Sequence, residues 1–172
     1  MKKYLLILFI SINTYALQIL DKNVADQNTD SVKISLQNIN NLARAGDIKS
    51  QFILAGLYFS GDGVEKDDKL SFYWYKQVAD DGYPNAQFNI ANSYYTGTGI
   101  EKNIDKSVIW YEKAANQGLI PAMYNLAFIL ENDKKDIKKA FIWYEKAAKL
   151  GSSNSQLIVA RKYQSGDGVK KI

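Results

Sequence analysis

The sequence predicts an all-α solenoid built from helix-pair repeats of about 36 residues. Three recurrences carry this expectation. Tyr73-Trp74-Tyr75, Ile109-Trp110-Tyr111 and Ile142-Trp143-Tyr144 repeat one phrase at steps of 36 and then 33 residues. Gly46, Gly82, Gly118 and Gly151 keep that step, as do Ala55, Ala91, Ala127 and Ala160. The turn Gly61-Asp62-Gly63-Val64 returns as Gly97-Thr98-Gly99-Ile100 and again as Gly166-Asp167-Gly168-Val169. So many unlike residue types at one period are the mark of stacked units, each too small to bury its own apolar face.

Taken in order, residues 1–16 read as a secretory signal peptide rather than as part of the fold. Lys2 and Lys3 open the chain, Tyr4 to Ile12 is almost unbroken apolar sequence, and Thr14 and Ala16 place small residues for cleavage after Ala16. That run falls short of the roughly 20 residues a membrane-spanning helix needs. The expected location is therefore the periplasm or the exterior. Residues 17–30 are polar and aperiodic and read as a flexible leader. Residues 31–46 place Val32, Leu36, Ile39, Leu42 and Ala43 at helical spacing, a half-repeat helix that caps the first unit.

Repeats follow at residues 47–82, 83–118 and 119–151, with a truncated fourth at 152–172. Each pairs a helix A (48–60, 85–96, 121–131, 154–164) with a helix B (68–81, 104–117, 137–150), and the last lacks its helix B. The alanines at 55, 91, 127 and 160 are small so that helix A can pack closely on its partner. Tyr58, Tyr94 and Tyr163 fill the space between layers, and Trp74, Trp110 and Trp143 supply each layer's apolar bulk. Asp67, Asn103 and Asp136 stand seven residues before a tryptophan, where a side-chain oxygen caps helix B. Gly82, Gly118 and Gly151 end helix B in the left-handed conformation that suits glycine. The third unit lacks the Gly-x-Gly turn between Leu130 and Lys135 and is three residues short.

Composition narrows the function. Two prolines and 47% hydrophobic residues suit an ordered helical chain. There is no cysteine and no histidine, so disulfides, thiolate nucleophiles, the usual neutral-pH base and the commonest zinc ligand are all missing. Loss of the signal removes two of the 22 basic residues, leaving them nearly balanced by 18 acidic ones. That is no footprint for nucleic acid. Lys134, Lys135, Lys138 and Lys139 cluster, but Glu131, Asp133 and Asp136 interleave with them, which reads as a solvated helix start.

The run Ala86-Gln87-Phe88-Asn89-Ile90-Ala91, then Tyr94, Gly97-Thr98-Gly99-Ile100, Trp110-Tyr111, Ala114-Ala115 and Gly118, resembles the Sel-one-like repeat (SLR) family, cousins of tetratricopeptide repeats. The resemblance spans about Gly46 to Val169. It implies a right-handed superhelix of antiparallel helix pairs used for protein–protein contact. It also implies likeness to bacterial host-interaction factors, envelope scaffolds and periplasmic immunity proteins that neutralise secreted lipases. The cysteine-rich secreted branch pairs cysteines within each repeat, and this chain departs from it.

A solenoid presents a continuous concave face lined mainly by helix A. Helix-A positions outside the packing signature are the candidates for a partner: Phe59 beside Gly56 in unit one, Asn89, Asn92 and Tyr95 in unit two, Asn125, Phe128 and Glu131 in unit three, and Arg161 and Gln164 in unit four. Aromatic and arginine side chains suit interface anchors, and amides can bond a partner's backbone. The expected partner is another protein, a toxin or an envelope component, with no cofactor, no metal and no nucleic acid. The alternative is a secreted envelope hydrolase using carboxylates. It finds weak support, because Asp67-Asp68 and Asp80-Asp81 are neighbours that point to different sides of a helix. Asp62 and Asp167 lack the spacing of a calcium loop, and Gly61-x-Gly63 is too short for a dinucleotide fingerprint.

Overall fold

The computed structural model describes residues 29–166, with side chains from Leu36 onward. Eight helices and no strand occur among the described residues. They are α1 (Thr29–Arg44), α2 (Ile48–Ser60), α3 (Asp68–Asp80), α4 (Pro84–Thr96), α5 (Ile104–Asn116), α6 (Ile120–Asn132), α7 (Ile137–Lys149) and α8 (Ser153–Ser165). Helix A is thus α2, α4, α6 and α8, and helix B is α3, α5 and α7, each within a residue or two of its expected bounds. The capping helix begins at Thr29, inside the stretch expected to be leader. The expected signal peptide and the rest of the expected leader lie outside the described residues, as does the chain after Gly166.

Local chemistry sets these boundaries. The backbone N–H groups that open a helix need acceptors, and the sequence supplies them at the repeat step. Asp67 Oδ1 accepts from the N–H groups of Lys69 and Leu70 at 2.9 Å each, Asn103 Oδ1 from Lys106 at 2.9 Å, and Asp136 Oδ1 from Lys139 at 3.1 Å. Asp47 and Ser152 cap α2 and α8 in the same way. Helices α4 and α6 have no side-chain cap and carry proline in the first turn, where a missing N–H is harmless.

The A-to-B turn closes on one hydrogen bond in all three complete units. The N–H of Asp67, Asn103 and Asp136 donates to the carbonyl of Tyr58, Tyr94 and Leu130 at 2.9, 2.8 and 2.8 Å. The shortened third turn keeps this bond without glycine by placing Lys135 at φ 57°, a left-handed value unusual for a side-chain-bearing residue. Glutamines supply a second periodic link. Gln51, Gln87 and Gln156 donate from Nε2 to the carbonyls of Ala43, Ala79 and Ala148 at 3.1, 3.3 and 3.1 Å, satisfying the C-terminal end of the preceding helix.

The helices form two compact units that divide between Val78 and Ala79. In the first, α1 packs on α2, and Leu36 reaches within 3.3 Å of where a Cβ would stand on Gly63. Phe52 meets Tyr75 edge-on at 5.2 Å. In the second, α4, α5, α6, α7 and α8 each pack on the next. The layers repeat here too, with Phe88 on Tyr111 at 5.6 Å and Tyr124 on Tyr144 at 5.8 Å.

Two packing expectations need correction. The fully buried aromatics are Tyr75, Tyr111 and Tyr144, the tyrosines after the tryptophans, while Trp74 and Trp143 are half-exposed and Trp110 is buried. An indole placed at the edge of a layer leaves one face for a cation. Lys113 stands 4.1 Å from the centroid of Trp110 and Lys146 3.9 Å from that of Trp143. Ala55, Ala91 and Ala127 are completely buried as expected, but Ala160 is exposed, because no described helix follows α8 to cover it.

Candidate partner-binding face

Helices α4, α6 and α8 carry eight of the nine residues singled out for partner contact, all within the second unit. Phe59, the ninth, belongs to the first; it is half-buried with Lys66 Nζ 5.5 Å from its ring centroid.

Asn89 and Asn92 are corrected. They are only 2% and 3% exposed and belong to the interior rather than to an open surface. For Asn92 the reason lies on α5. The Tyr111 hydroxyl sits among the A helices, donates to Asn92 Oδ1 and accepts from Asn125 Nδ2 at 3.2 Å. Burial raises the Tyr111 pKa, partly offset by the Asn125 hydrogen bond, so the hydroxyl remains a donor through the physiological range. The Nδ2 groups of both Asn89 and Asn92 are buried with no hydrogen-bond partner. Such donors are uncommon in a packed interior.

The remaining positions are accessible. Tyr95, Asn125, Phe128 and Glu131 are half-exposed, and Arg161 and Gln164 are exposed. Tyr95 spans the α4 and α6 ends: Lys102 Nζ lies 5.4 Å from its ring centroid, and its hydroxyl donates to Asp133 Oδ2 at 3.5 Å. Partial burial and then the Asp133 carboxylate raise its pKa. Tyr95 also bears electrostatically on Tyr111, so Asn92, Tyr95, Tyr111 and Asn125 form one neighbourhood. Phe128 follows Asn92 at the next repeat step and is the apolar member of the face.

Glu131 does not stand ready for a partner. It holds Lys162 of α8 in an ion pair, with the lysine side chain 7% exposed. Burial, and next the negative charge of Glu131, hold the Tyr144 hydroxyl well above the usual tyrosine range. Lys162 occupies the register of the buried Leu57 and Ile129 and of the half-buried Ser93, so a charged residue on a track without other charges was the signal for this pair. Tyr111 gave none, because a tyrosine after a tryptophan reads as more apolar bulk.

Several carboxylates have structural partners. Asp67 and Asp136 cap helices, Glu131 holds Lys162, and Glu145 accepts from the Tyr163 hydroxyl at 2.8 Å. Among the described residues no group of three or more acidic side chains could hold a metal ion, and no helix is long and apolar enough to cross a membrane.

Comparison with known proteins agrees with this architecture. The Sel1 repeat model matches residues 48–83, 84–119 and 120–152, more than half of the chain and one residue out of step with the units read from the sequence. A protective antigen of uropathogenic Escherichia coli with an SLR fold is 33% identical at a TM-score of 0.73, over 80% of this chain and 30% of that one. A Sel1 repeat protein from Oxalobacter formigenes is also 33% identical, at 0.66, over 80% of this chain and 64% of that one. Cysteine-rich protein B of Helicobacter pylori shares the fold at 18% identity and a TM-score of 0.57, over 76% of this chain and 96% of that one. The chain thus spans less than two thirds of the length of the first two. No curated protein matches it.

Proposed function

Because the chain belongs to the Sel1-repeat family, whose members are protein-interaction scaffolds, we propose that it is an exported adaptor that takes a partner protein on the α4–α6–α8 face. One observation carries the reading. Around a fully buried repeat core, this face leaves Tyr95, Asn125 and Phe128 half-exposed and Arg161 exposed. An aromatic pair on adjacent units, flanked by an amide and a guanidinium, is the composition of an interface centre.

A narrower role combines the N-terminal sequence with the resemblance to periplasmic immunity proteins. Its charged start, apolar run and small residues favour export, and the partner proposed is a secreted toxin of lipase type that the protein neutralises in the periplasm. The experiment is a pull-down from native envelope with wild type and Tyr95→Ala/Phe128→Ala, beside a melting curve for each. Selective loss of a partner by a folded variant supports the adaptor reading, and retention of every partner refutes it. For the narrower role, co-expression must protect cells from that toxin.

A further inference from the structure

The four lysines on the exposed side of α7 have a use that neither the repeat nor the partner face explains. Lys138, Lys139, Ile142, Lys146, Lys149 and Leu150 are all exposed, and at 100° per residue they fall within an arc of about 120°. Of the acids that interleave with the lysines in sequence, Glu131 and Asp133 are drawn elsewhere in space, while Asp136 stays beside Lys138 and Lys139. Asp136 caps α7 and pairs with Lys139 at 3.2 Å, Glu131 turns to Lys162, and Asp133 accepts from Tyr95. Lys134 is taken up by Asp105. Glu145, at the edge of the arc, is held by Tyr163. Lys138 and Lys149 have no ion pair among the described residues. The expected solvated helix start is therefore two populations: paired lysines at the turn and a basic face beyond it.

That face is private to α7. One repeat earlier, the same six positions on α5 are Asp105, Lys106, Ile109, Lys113, Asn116 and Gln117. The fold retains the isoleucine and two lysines and does without Lys138, Lys149 and Leu150. Apolar area is exposed among the charges: Ile142 is 50% and Leu150 52% exposed, and Lys146 extends over the half-exposed ring of Trp143. Ammonium groups around protruding aliphatic side chains match a surface with anionic charge outside and hydrocarbon just beneath. A nucleic-acid backbone would meet the charges but offer the aliphatics nothing.

We propose that the exposed face of α7 docks the protein on membranes containing anionic phospholipid, independently of the partner face. The test is partition of the full chain onto phosphatidylcholine vesicles with and without phosphatidylglycerol; the N-terminal apolar run is common to all variants, so ratios between variants report α7. Lys138→Gln/Lys149→Gln should lower partition onto anionic vesicles about thirtyfold, two lysines at about 1 kcal/mol each. Lys138→Arg/Lys149→Arg should retain it. Ile142→Ser/Leu150→Ser should lower it about tenfold with all lysines present. Equal partition of wild type onto both vesicle types overturns the proposal. So does a lysine effect without an isoleucine–leucine effect, which would leave only a general affinity for polyanions.

Discussion

Replacing Tyr111 by Phe removes one oxygen from the centre of the second unit, and the consequence can be compared with the same change one repeat earlier. The Tyr111 hydroxyl donates to Asn92 Oδ1 and accepts from Asn125 Nδ2. Without it Asn125, half-exposed, can turn to water. Asn92 cannot, and it would be left with both ends of its amide buried and unpaired. Stranding such a group costs about 1–3 kcal/mol, or a fall in Tm of about 4–8 °C for a midrange loss of about 2 kcal/mol in a chain of this size. Tyr75 holds the same register and is just as buried, but its hydroxyl has no partner. The position corresponding to Asn92 is Gly56, whose Cβ, if present, would stand 3.5 Å from the Tyr75 oxygen. Tyr75→Phe therefore removes an unsatisfied polar atom and should be neutral or stabilising by up to about 1 kcal/mol. Equilibrium urea unfolding followed by circular dichroism, with thermal melts alongside, measures both. Equal losses for the two variants would refute the hydrogen-bond assignment, since deletion of an oxygen from a well-packed ring would then be the whole effect.

Other consequences are as direct. Tyr95→Ala/Phe128→Ala should weaken partner binding by at least about 2 kcal/mol while leaving a cooperative melt, as titration calorimetry and melting curves of the double variant would show. Two glycine substitutions should have opposite signs in urea melts: Gly118→Ala, at φ 89° with nothing within 4 Å, costs about 1 kcal/mol of backbone strain, whereas Gly56→Ala in the middle of α2 gains about 0.5–1 kcal/mol. The hydrogen bonds from Lys139 and Ser50 hold the Asp136 and Asp47 carboxyls below their ordinary range, so their stabilisation is complete above the unfolded value near 4 and is lost as pH falls through the folded value. Asp136→Asn should flatten the acid limb of a Tm-against-pH curve. Above pH 10 the sign reverses, because Tyr75, Tyr111 and Tyr144 stay protonated when folded but ionise when unfolded, and stability should fall as pH rises.

The repeat was legible because its punctuation is chemical. Caps at Asp67, Asn103 and Asp136 and left-handed glycines at the helix ends are required at fixed positions, so they recur and can be counted. The face was less legible because a helical register shows which residues share a side, but not what reaches them from another helix. Asn89 and Asn92 share their side of α4 with Tyr95, yet the first two are buried, Asn92 against the Tyr111 hydroxyl from α5, and the third is half-exposed. Glu131 looked equally available until Lys162 from α8, far away in sequence, claimed it. The α7 lysines were obscured in the same way, since interleaving along the chain says little about where Asp133 or Glu145 points once folded. Periodicity reports packing within a unit, and these pairings form between helices.

The most direct test of the scaffold reading is site-specific photocrosslinking in the native envelope, with a benzophenone amino acid introduced singly at Phe128, Arg161 and Ile109. Phe128 and Arg161 lie on the proposed partner face, and Ile109 is an exposed position on α5, more accessible than Phe128. The account expects one common protein adduct from positions 128 and 161 and none of that mass from 109. An adduct formed only from 109, or none from either face position in folded protein, would contradict it.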